Sequence, residues 1–287
     1  MIIGNREFNT ENSIYIMGIL NVTPDSFSDG GSYKGMDDVL QKAGRMIAEG
    51  ATVIDVGGES TRPGYNMISC EEEIGRVVPA IEAIKREYDI PVSLDTYKAP
   101  VAKAGIMAGA DMINDIWGLK YDADMKKVIA KAKVACCLMH NRNEIFTVNG
   151  DAGNPEQQFV KTVLTEIAES IDLAIEAGIS KDKIMIDPGI GFMKTYEQNL
   201  CLIKNLSRMR ELNYPVLLGT SRKSVIGNTL MLPVEERLEG TLATSVIGAM
   251  AGCSFIRVHD VKENVRAVQM TAAVMNVSLM SEEHNAE

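Results

Sequence analysis

Short apolar runs alternate with longer segments of helical periodicity along the whole chain of 287 residues. The helical segments repeat their apolar residues every three or four positions, so that Phe159, Val163 and Ile167 share one face of a predicted helix. Several of these segments end in glycine, as at Gly178, which is typical of a helix C-terminus. The apolar runs predict eight strands, at residues 13–20, 52–58, 91–96, 111–116, 133–140, 183–190, 215–221 and 254–259.

This alternation indicates an α/β protein in which helices cover both faces of a parallel sheet. Eight strand–helix units over this length favour one closed (β/α)8 TIM barrel over an open doubly wound sheet. We therefore predict a single domain over residues 1–287, with the barrel at 13–277 and a frayed polar tail at 278–287. The connections after the first and second strands, at about 21–35 and 58–69, exceed the usual ~2–6 residues and predict binding loops or lids.

The composition of the chain argues against several classes of binding partner and cellular location. A formal net charge of −10 argues against binding to nucleic acid or to an acidic membrane surface, so an anionic substrate needs a local cluster of cations. No window is apolar enough for a membrane span, and the N-terminus lacks the pattern of a secretory signal. The five cysteines are odd in number and lack metal-binding spacing, which favours free thiols in the reducing cytoplasm.

Every predicted strand ends in polar or charged residues. In a barrel of this kind the catalytic residues lie at the C-terminal ends of the strands, whereas buried strands otherwise avoid polar groups. A hydrogen-bonded structural role explains any single one of these residues equally well, but it explains the full set poorly. The strand-end residues include Asn21, Glu59, Asp95, Asn114, Asp115, His140, Asp187, Ser221, Lys223, Arg257 and His259.

Eight motifs occur in order at these strand ends: GILNVTPDSFSDGG, DVGGESTRPG, SLDT, INDI, LMH, DPGIGF, GTSRKS and IRVHDV. Together they resemble the motifs of the dihydropteroate synthases, the folate-pathway enzymes that sulfonamides inhibit. The resemblance extends from Gly18 to Val261. It implies a cytoplasmic pterin-binding TIM barrel, usually a homodimer, that uses Mg²⁺. The implied reaction joins 6-hydroxymethyl-7,8-dihydropterin diphosphate to 4-aminobenzoate and releases diphosphate.

The resemblance also assigns the pterin to five residues. Asp187 accepts the adjacent N–H donors of the ring with paired geometry, and Asn114 and Asp95 complete the polar wall. Lys223 bonds the pterin carbonyl and a ring nitrogen, while Arg257 stacks on the ring and faces phosphate.

Each of four assignments has a structural alternative. Asp187 is placed to cap the turn before Pro188, and Asp95 to cap the helix after the third strand. Lys223 is alternatively a solvated surface lysine, and Arg257 part of an internal salt bridge that closes the barrel.

The diphosphate is assigned by the resemblance to Asn21, Thr61, Arg62, Arg257 and His259. Asn21 is in addition the expected ligand of Mg²⁺, a cation that is commonly held by one protein oxygen, waters and substrate phosphate. For His259 a neutral structural role is the alternative, and for His140 at the end of the fifth strand a structural role is favoured.

The remaining assignments concern the second substrate and the reaction intermediate. Asp95 and Asp29 are expected to stabilise the cation left on the pterin when diphosphate departs. Gly219 is expected in the substrate site. The predicted pocket for 4-aminobenzoate is formed by Phe27, Asp29, Thr61 and Pro63 on the long loops, and by Phe192, Lys223 and Ser224 as a fixed wall. For Phe27 the alternative is a hydrophobic plug that pins an inert loop.

Two positions depart from the family pattern. Met193 follows Phe192 where relatives often have a small residue, and Asn141, Arg142 and Asn143 follow LMH in a segment that varies among relatives. Two other functions remain open: a methyltetrahydrofolate:corrinoid methyltransferase, which uses a related barrel, and a pterin-binding paralogue without catalysis. The STRPG and SRKS segments favour the synthase over the methyltransferase, and the intact first and second long loops with Arg62 favour it over the paralogue.

Overall fold

The computed structural model describes residues 1–11, 13–22, 33–59, 67–147 and 154–276, and its centre is an eight-stranded parallel sheet. The strands are β1 (Tyr15–Asn21), β2 (Val53–Gly57), β3 (Val92–Asp95), β4 (Met112–Asp115), β5 (Ala135–Met139), β6 (Ile184–Asp187), β7 (Leu217–Leu218) and β8 (Phe255–Val258). Their order in the sheet is β6-β5-β4-β3-β2-β1-β8-β7. A parallel bridge between Ile186 and Val216 joins β6 to the start of β7 and closes the ring. The predicted (β/α)8 TIM barrel is confirmed.

Helices surround the strands. They are α1 (Tyr33–Ala48), α2 (Cys70–Glu87), α3 (Ala99–Met107), α4 (Met125–Ala132), α5 (Pro155–Glu176), α6 (Tyr196–Lys204), α7 (Ser224–Leu230), α8 (Leu238–Met250) and α9 (Val261–Met275). One helix follows each of β1 to β6 and also β8, while both α7 and α8 follow β7. Their starts carry local signals, such as the capping box of Thr195 and Gln198 at α6.

Alternation along each strand separates two apolar layers. Outward-facing residues such as Ile54 and Ile113 pack in the main core with the helices. Inward-facing residues such as Met17 and Phe255 fill the N-terminal half of the barrel. Residues further along the same inward faces are polar. The barrel is therefore sealed at its N-terminal end and lined with polar groups at its C-terminal end.

A short N-terminal hairpin, which the sequence did not predict, covers the N-terminal end of the barrel. Ile2–Ile3 pairs with Arg6–Glu7 in antiparallel register. Phe8 follows the hairpin and is 5% exposed, with its ring 4.8 Å from that of Tyr15 and 5.4 Å from that of Phe255. Strands of two residues carry too little periodicity to be read from sequence.

The connections between strands and helices differ in length. Residues 22–32 join β1 to α1 and residues 58–69 join β2 to α2, as predicted, and a still longer connection at 140–154 joins β5 to α5. The predicted site residues Phe27, Asp29, Thr61, Arg62 and Pro63 lie outside the described residues. In the described ranges, no helix combines the length and the hydropathy that a bilayer crossing requires.

Candidate active site

Four side chains from four strands form one ionic network at the C-terminal end of the barrel. Arg257 of β8 donates from Nε to Asp55 Oδ2 of β2 and from Nη2 to Asp95 Oδ2 of β3, both at 2.6 Å. Asn114 of β4 donates from Nδ2 to the same oxygen of Asp55 at 3.2 Å. The strand register explains the meeting, because Asp95 lies beside Asn114 in adjacent strands and all four side chains occupy inward-facing positions.

Because these side chains are buried, the protonation state of each one depends on the charges next to it. Removal from water raises the pKa of Asp95, Arg257 opposes the rise and the Asp55 carboxylate adds to it, so that the pKa lies at about 7. For Arg257 burial disfavours the charge, yet Asp55 and Asp95 hold its pKa above the usual value. The second oxygens, Asp55 Oδ1 and Asp95 Oδ1, are buried without a hydrogen-bond partner in the described part of the chain. Since buried polar atoms are normally satisfied, these two unpartnered oxygens mark the network as a candidate binding site for N–H donors.

A second acid and a second cation lie beside this network. Asp187 ends β6, is buried, and accepts at Oδ1 from the N–H of Gly189 at 2.7 Å. Lys223 donates to the carbonyl of Ile190, and its Nζ lies 4.8 Å from the centroid of the Phe192 ring. Burial raises the pKa of Asp187 and lowers the pKa of Lys223 to about 8, while each charge partly offsets the shift of the other.

Gly219, next to β7, leaves open the space between these charged groups. A Cβ built on it would lie 3.7 Å from Asp187 Oδ2, 3.8 Å from Lys223 Nζ and 4.0 Å from Arg257 Cδ. The two acid–cation sets therefore share one space. With glycine at this position no side chain stands between these groups and the Asp187 oxygen that the turn after β6 does not use.

Asn21, the last residue of β1, is the described candidate for a metal ligand. It is exposed, and a Cβ built on neighbouring Gly57 would lie 3.5 Å from Asn21 Oδ1 and 4.0 Å from Asp95 Oδ2. Among the described residues no group of three or more His, Cys, Asp or Glu is placed to hold a metal ion. A single amide oxygen at the mouth fits a hard cation whose other ligands are waters and phosphate oxygens.

The rim is formed by the connections that follow β7 and β8. Ser221 Oγ lies 3.0 Å from His259 Nδ1 and accepts from the backbone N–H of His259 at 3.2 Å. Arg222 Nε donates to Asp260 Oδ2 at 2.9 Å, so an ion pair ties the two connections together. Ser224 is exposed as the first residue of α7.

Known proteins are similar to this chain in sequence and in fold. The family model of pterin binding enzymes matches residues 17–259. The dihydropteroate synthase of Clostridium beijerinckii is 57% identical over 276 residues, which are 96% of this chain and 99% of that protein. The dihydropteroate synthase of Bacillus subtilis is 49% identical over 91% of this chain and 88% of its own. The chain belongs to the dihydropteroate synthase family.

Solved structures of family members superpose on the whole barrel. A dihydropteroate synthase from Clostridium difficile, crystallised in the presence of pteroic acid, has a TM-score of 0.87 and 46% identity, covering 93% of this chain and 99% of its own. A Xanthomonas albilineans dihydropteroate synthase with 4-aminobenzoic acid has a TM-score of 0.85 and 38% identity, covering 93% and 95%. The range matched by the family model, residues 17–259, includes the strand positions that carry the polar network.

The structure shows which of the alternative structural roles that the sequence left open are present. Asp95 does not cap α3, because the N-cap of that helix is Lys98. Asp187 does cap its turn, but with one oxygen only. Lys223 is not a solvated lysine, since it bonds the carbonyl of the turn after β6. Arg257 does form an internal salt bridge, with two acids.

Most predicted site residues within the described ranges adjoin one another. The structure groups Asp95, Asn114, Asp187, Phe192, Gly219, Lys223 and Arg257, with Asn21, Ser224 and His259 at the rim. Sequence reasoning missed Asp55, which is fully buried and contacts Arg257. A lone acid between Ile54 and Val56 of an apolar strand is the signal that would have identified it.

Proposed function

We propose that this chain condenses 6-hydroxymethyl-7,8-dihydropterin diphosphate with 4-aminobenzoate to give 7,8-dihydropteroate and diphosphate. Membership of the dihydropteroate synthase family makes it a transferase. The observation that carries the reaction is the grouping of acids and cations at one end of the barrel. Arg257 pairs with Asp55 and Asp95, and it borders the space beside Gly219 together with Asp187 and Lys223. The carboxylates can accept hydrogen bonds from the N–H groups of a flat heterocycle, and the cations can stabilise its anionic leaving group.

The pterin binds with its N–H donors toward the acids. Asp187 Oδ2 accepts the paired donors of the ring, and Asn114 and Asp95 form the rest of the polar wall. Lys223 donates to the ring carbonyl, and Arg257 places its planar guanidinium against the ring and near phosphate. The unpartnered oxygen of Asp95 supports this arrangement, because a ligand donor satisfies it.

The reaction proceeds by dissociative substitution at the exocyclic methylene. The bond between the methylene carbon and the diphosphate oxygen breaks, and its electron pair leaves with diphosphate. Asp95 and Asp29 stabilise the cation that is left on the pterin. The amine of 4-aminobenzoate then attacks the methylene carbon, and the new C–N bond forms with loss of an amine proton.

Binding of the diphosphate and of 4-aminobenzoate follows the family assignment. Thr61, Arg62, Arg257 and His259 hold the diphosphate. The residues that form the aminobenzoate pocket are Phe27, Asp29, Thr61, Pro63, Phe192, Lys223 and Ser224. Support comes from two similar structures: the Xanthomonas albilineans enzyme with 4-aminobenzoic acid, and a Yersinia pestis dihydropteroate synthase with a sulfonamide drug complex. We extend both ligand classes to this chain and propose that sulfonamides inhibit it.

Asn21 is the residue that holds Mg²⁺ in this proposal, together with waters and substrate phosphate. The amide oxygen of Asn21 lies next to Gly57, and the described residues contain no group of three or more His, Cys, Asp or Glu placed to hold a metal ion; both observations fit that donor set. Magnesium supplies neutralisation of the charge that develops on the departing diphosphate.

We also propose a cytoplasmic single-domain homodimer. Large apolar side chains are exposed on α8, on α9 and just after α7, and residues of this kind mark a protein–protein interface where they form one patch. They are Met231, Ile247, Met250, Met270 and Val274. Burial of this set against a second copy accounts for it, and sedimentation equilibrium measures the expected twofold mass.

The deciding experiment measures diphosphate release from the pterin diphosphate with Mg²⁺, with and without 4-aminobenzoate. Release that requires 4-aminobenzoate, with formation of dihydropteroate, is the expected result. Tight pterin binding without product would instead identify the non-catalytic paralogue. Methyl transfer from methyltetrahydrofolate to a corrinoid, without dihydropteroate formation, would identify the methyltransferase.

A further inference from the structure

The turn at residues 189–192 holds both Asp187 and Lys223 in place. Its first residue, Gly189, donates its backbone N–H to Asp187 Oδ1 at 2.7 Å. Its second, Ile190, accepts from Lys223, and the ring of Phe192 lies 4.8 Å from Lys223 Nζ. Any shift of this turn therefore moves an acid and a cation of the pterin site together.

Lys194 binds the other side of the same turn. Its Nζ donates to the carbonyls of Gly189 at 2.9 Å, Phe192 at 3.0 Å and His140 at 3.3 Å. The ammonium thus joins both ends of the turn to the end of β5. The approach is close: Gly189 has φ +69°, and a Cβ on it would lie 2.0 Å from the carbonyl oxygen of His140. An L side chain does not fit there, so the turn has one backbone path.

The surroundings of Lys194 contain carbonyl oxygens rather than a carboxylate partner. Within the described ranges it forms no ion pair, although it is partly buried. Burial, together with the charges of Lys223 and Arg142, outweighs the opposing effect of Asp187 and Glu166 and lowers the pKa of Lys194 to about 7. A lysine ammonium has three N–H donors, and the three carbonyls accept hydrogen bonds from all of them.

We propose that Lys194 is a positioning residue for the pterin site: by binding three carbonyls it fixes the turn at 189–192 and, through it, Asp187 and Lys223. The proposal rests on the pterin-binding function proposed above. The turn reaches both substrates, since Lys223 and Phe192 also border the proposed 4-aminobenzoate pocket. We expect the larger effect on the pterin, because Asp187 is assigned to the pterin alone. If Lys194 only stabilised the fold, its replacement would change stability without a different effect on the binding of the two substrates.

The test compares Lys194→Met with Lys85→Met. Lys85 is a matched control, since it also donates to a backbone carbonyl, that of Ile90 at 3.3 Å, and to Asp111 at 2.8 Å. It lies by the starts of β3 and β4, at the opposite end of the barrel. For each protein, calorimetry gives the Kd of the pterin diphosphate, steady-state kinetics gives the aminobenzoate KM, and chemical denaturation checks folding.

Lys194→Met is expected to raise the pterin Kd at least tenfold and the aminobenzoate KM less than threefold. Lys85→Met is expected to lower stability and leave the pterin Kd unchanged. An unchanged pterin Kd in folded Lys194→Met, or equal losses for both substrates, would overturn the proposal. If Lys194→Met does not fold, Lys194→Gln is judged by the same criteria. Failure of the unaltered protein to bind pterin diphosphate is a separate result, which overturns the proposed function as well.

Discussion

The space beside Gly219 is bordered by Asp187, Lys223 and Arg257, so a single added methyl group tests what this space is for. In Gly219→Ala the new Cβ meets its nearest neighbours at 3.7–4.0 Å, which is ordinary van der Waals contact. We expect a change in unfolding free energy below about 1 kcal/mol. The pterin Kd should rise at least tenfold, because the methyl group takes the space of the ring. Calorimetry and urea denaturation measure the two effects.

The control for this substitution is Gly75→Ala. Gly75 lies inside α2, and a Cβ there has nothing within 4 Å. Alanine in a helix interior is favoured over glycine by about 1 kcal/mol. We therefore expect a more stable protein with unaltered pterin binding. Equal pterin affinities in the two variants would rule out a ligand in the space beside Gly219.

His140 makes a prediction about pH. It is buried, its Nε2 lies 2.8 Å from Glu166, and burial lowers its pKa to about 4 although Glu166 raises it. The unfolded chain has the usual histidine pKa near 6.5 and therefore binds the proton first as pH falls. The stability due to neutral His140 is complete above about pH 6.5 and is lost between there and pH 4.

His140→Gln removes this titration. Between pH 7 and pH 5 the wild type should lose about 2 kcal/mol of unfolding free energy through His140, and the variant should not. The wild type minus variant difference isolates the histidine from Asp95, whose raised pKa favours folding toward low pH. Denaturation at both pH values gives the difference. A difference that is independent of pH would refute the neutral buried histidine.

At the scale of elements, the connection after β3 anchors the connection after β2 at both ends. Lys98 forms ion pairs with Glu59 and, at 2.8 Å, with Glu73, and it donates to the carbonyl of Ile68 at 2.7 Å. Tyr97 donates to Glu59 at 2.7 Å. The Lys98, Glu59 and Glu73 side chains are at most 8% exposed. Two buried carboxylates this close together are stable in their charged form only when a cation lies between them.

Lys98→Met should therefore lower the unfolding free energy by about 3–5 kcal/mol, because it leaves two buried carboxylates unpaired. The control is Lys127→Met, which removes an ion pair with Asp124 whose side chains are 72% and 68% exposed. No measurable change is expected there. Urea denaturation of both variants decides the matter. Similar stabilities would show that the buried cluster contributes no more than a surface pair.

Each strand could be predicted on its own because its length and its apolar pattern are both visible in the sequence. All eight predicted strands are present. The predicted boundaries extend beyond the observed ones except at the end of β1, which runs one residue further, to Asn21; the excess is largest at β7, where 215–221 was predicted and Leu217–Leu218 is found. The bridge at Val216 takes over part of that pairing. The N-terminal hairpin was missed because pairing of two residues with two leaves no pattern.

The whole molecule is a barrel that is closed at one end and polar at the other. Phe8 contributes to the closed end through its contacts with Tyr15 and Phe255. Phe8→Ala should cost about 3–5 kcal/mol of unfolding free energy, since it removes a buried ring. Pterin binding in the folded variant should be unchanged, because the site lies at the other end. Denaturation and calorimetry test both parts; a large loss of pterin affinity would show that the two ends are coupled.

The sequence by itself determined the alternation of strands and helices, the barrel class and the family, because these depend on periodicity and on ordered motifs at strand ends. It also predicted that the strand-end acids and cations converge. Only the tertiary structure decided which acids pair with Arg257, and it added Asp55 to them. Sequence distance hides that contact: Asp55 and Arg257 meet because β1 lies between β2 and β8 in a closed sheet. Likewise, Lys194 gains its role only where the ends of β5 and β6 meet.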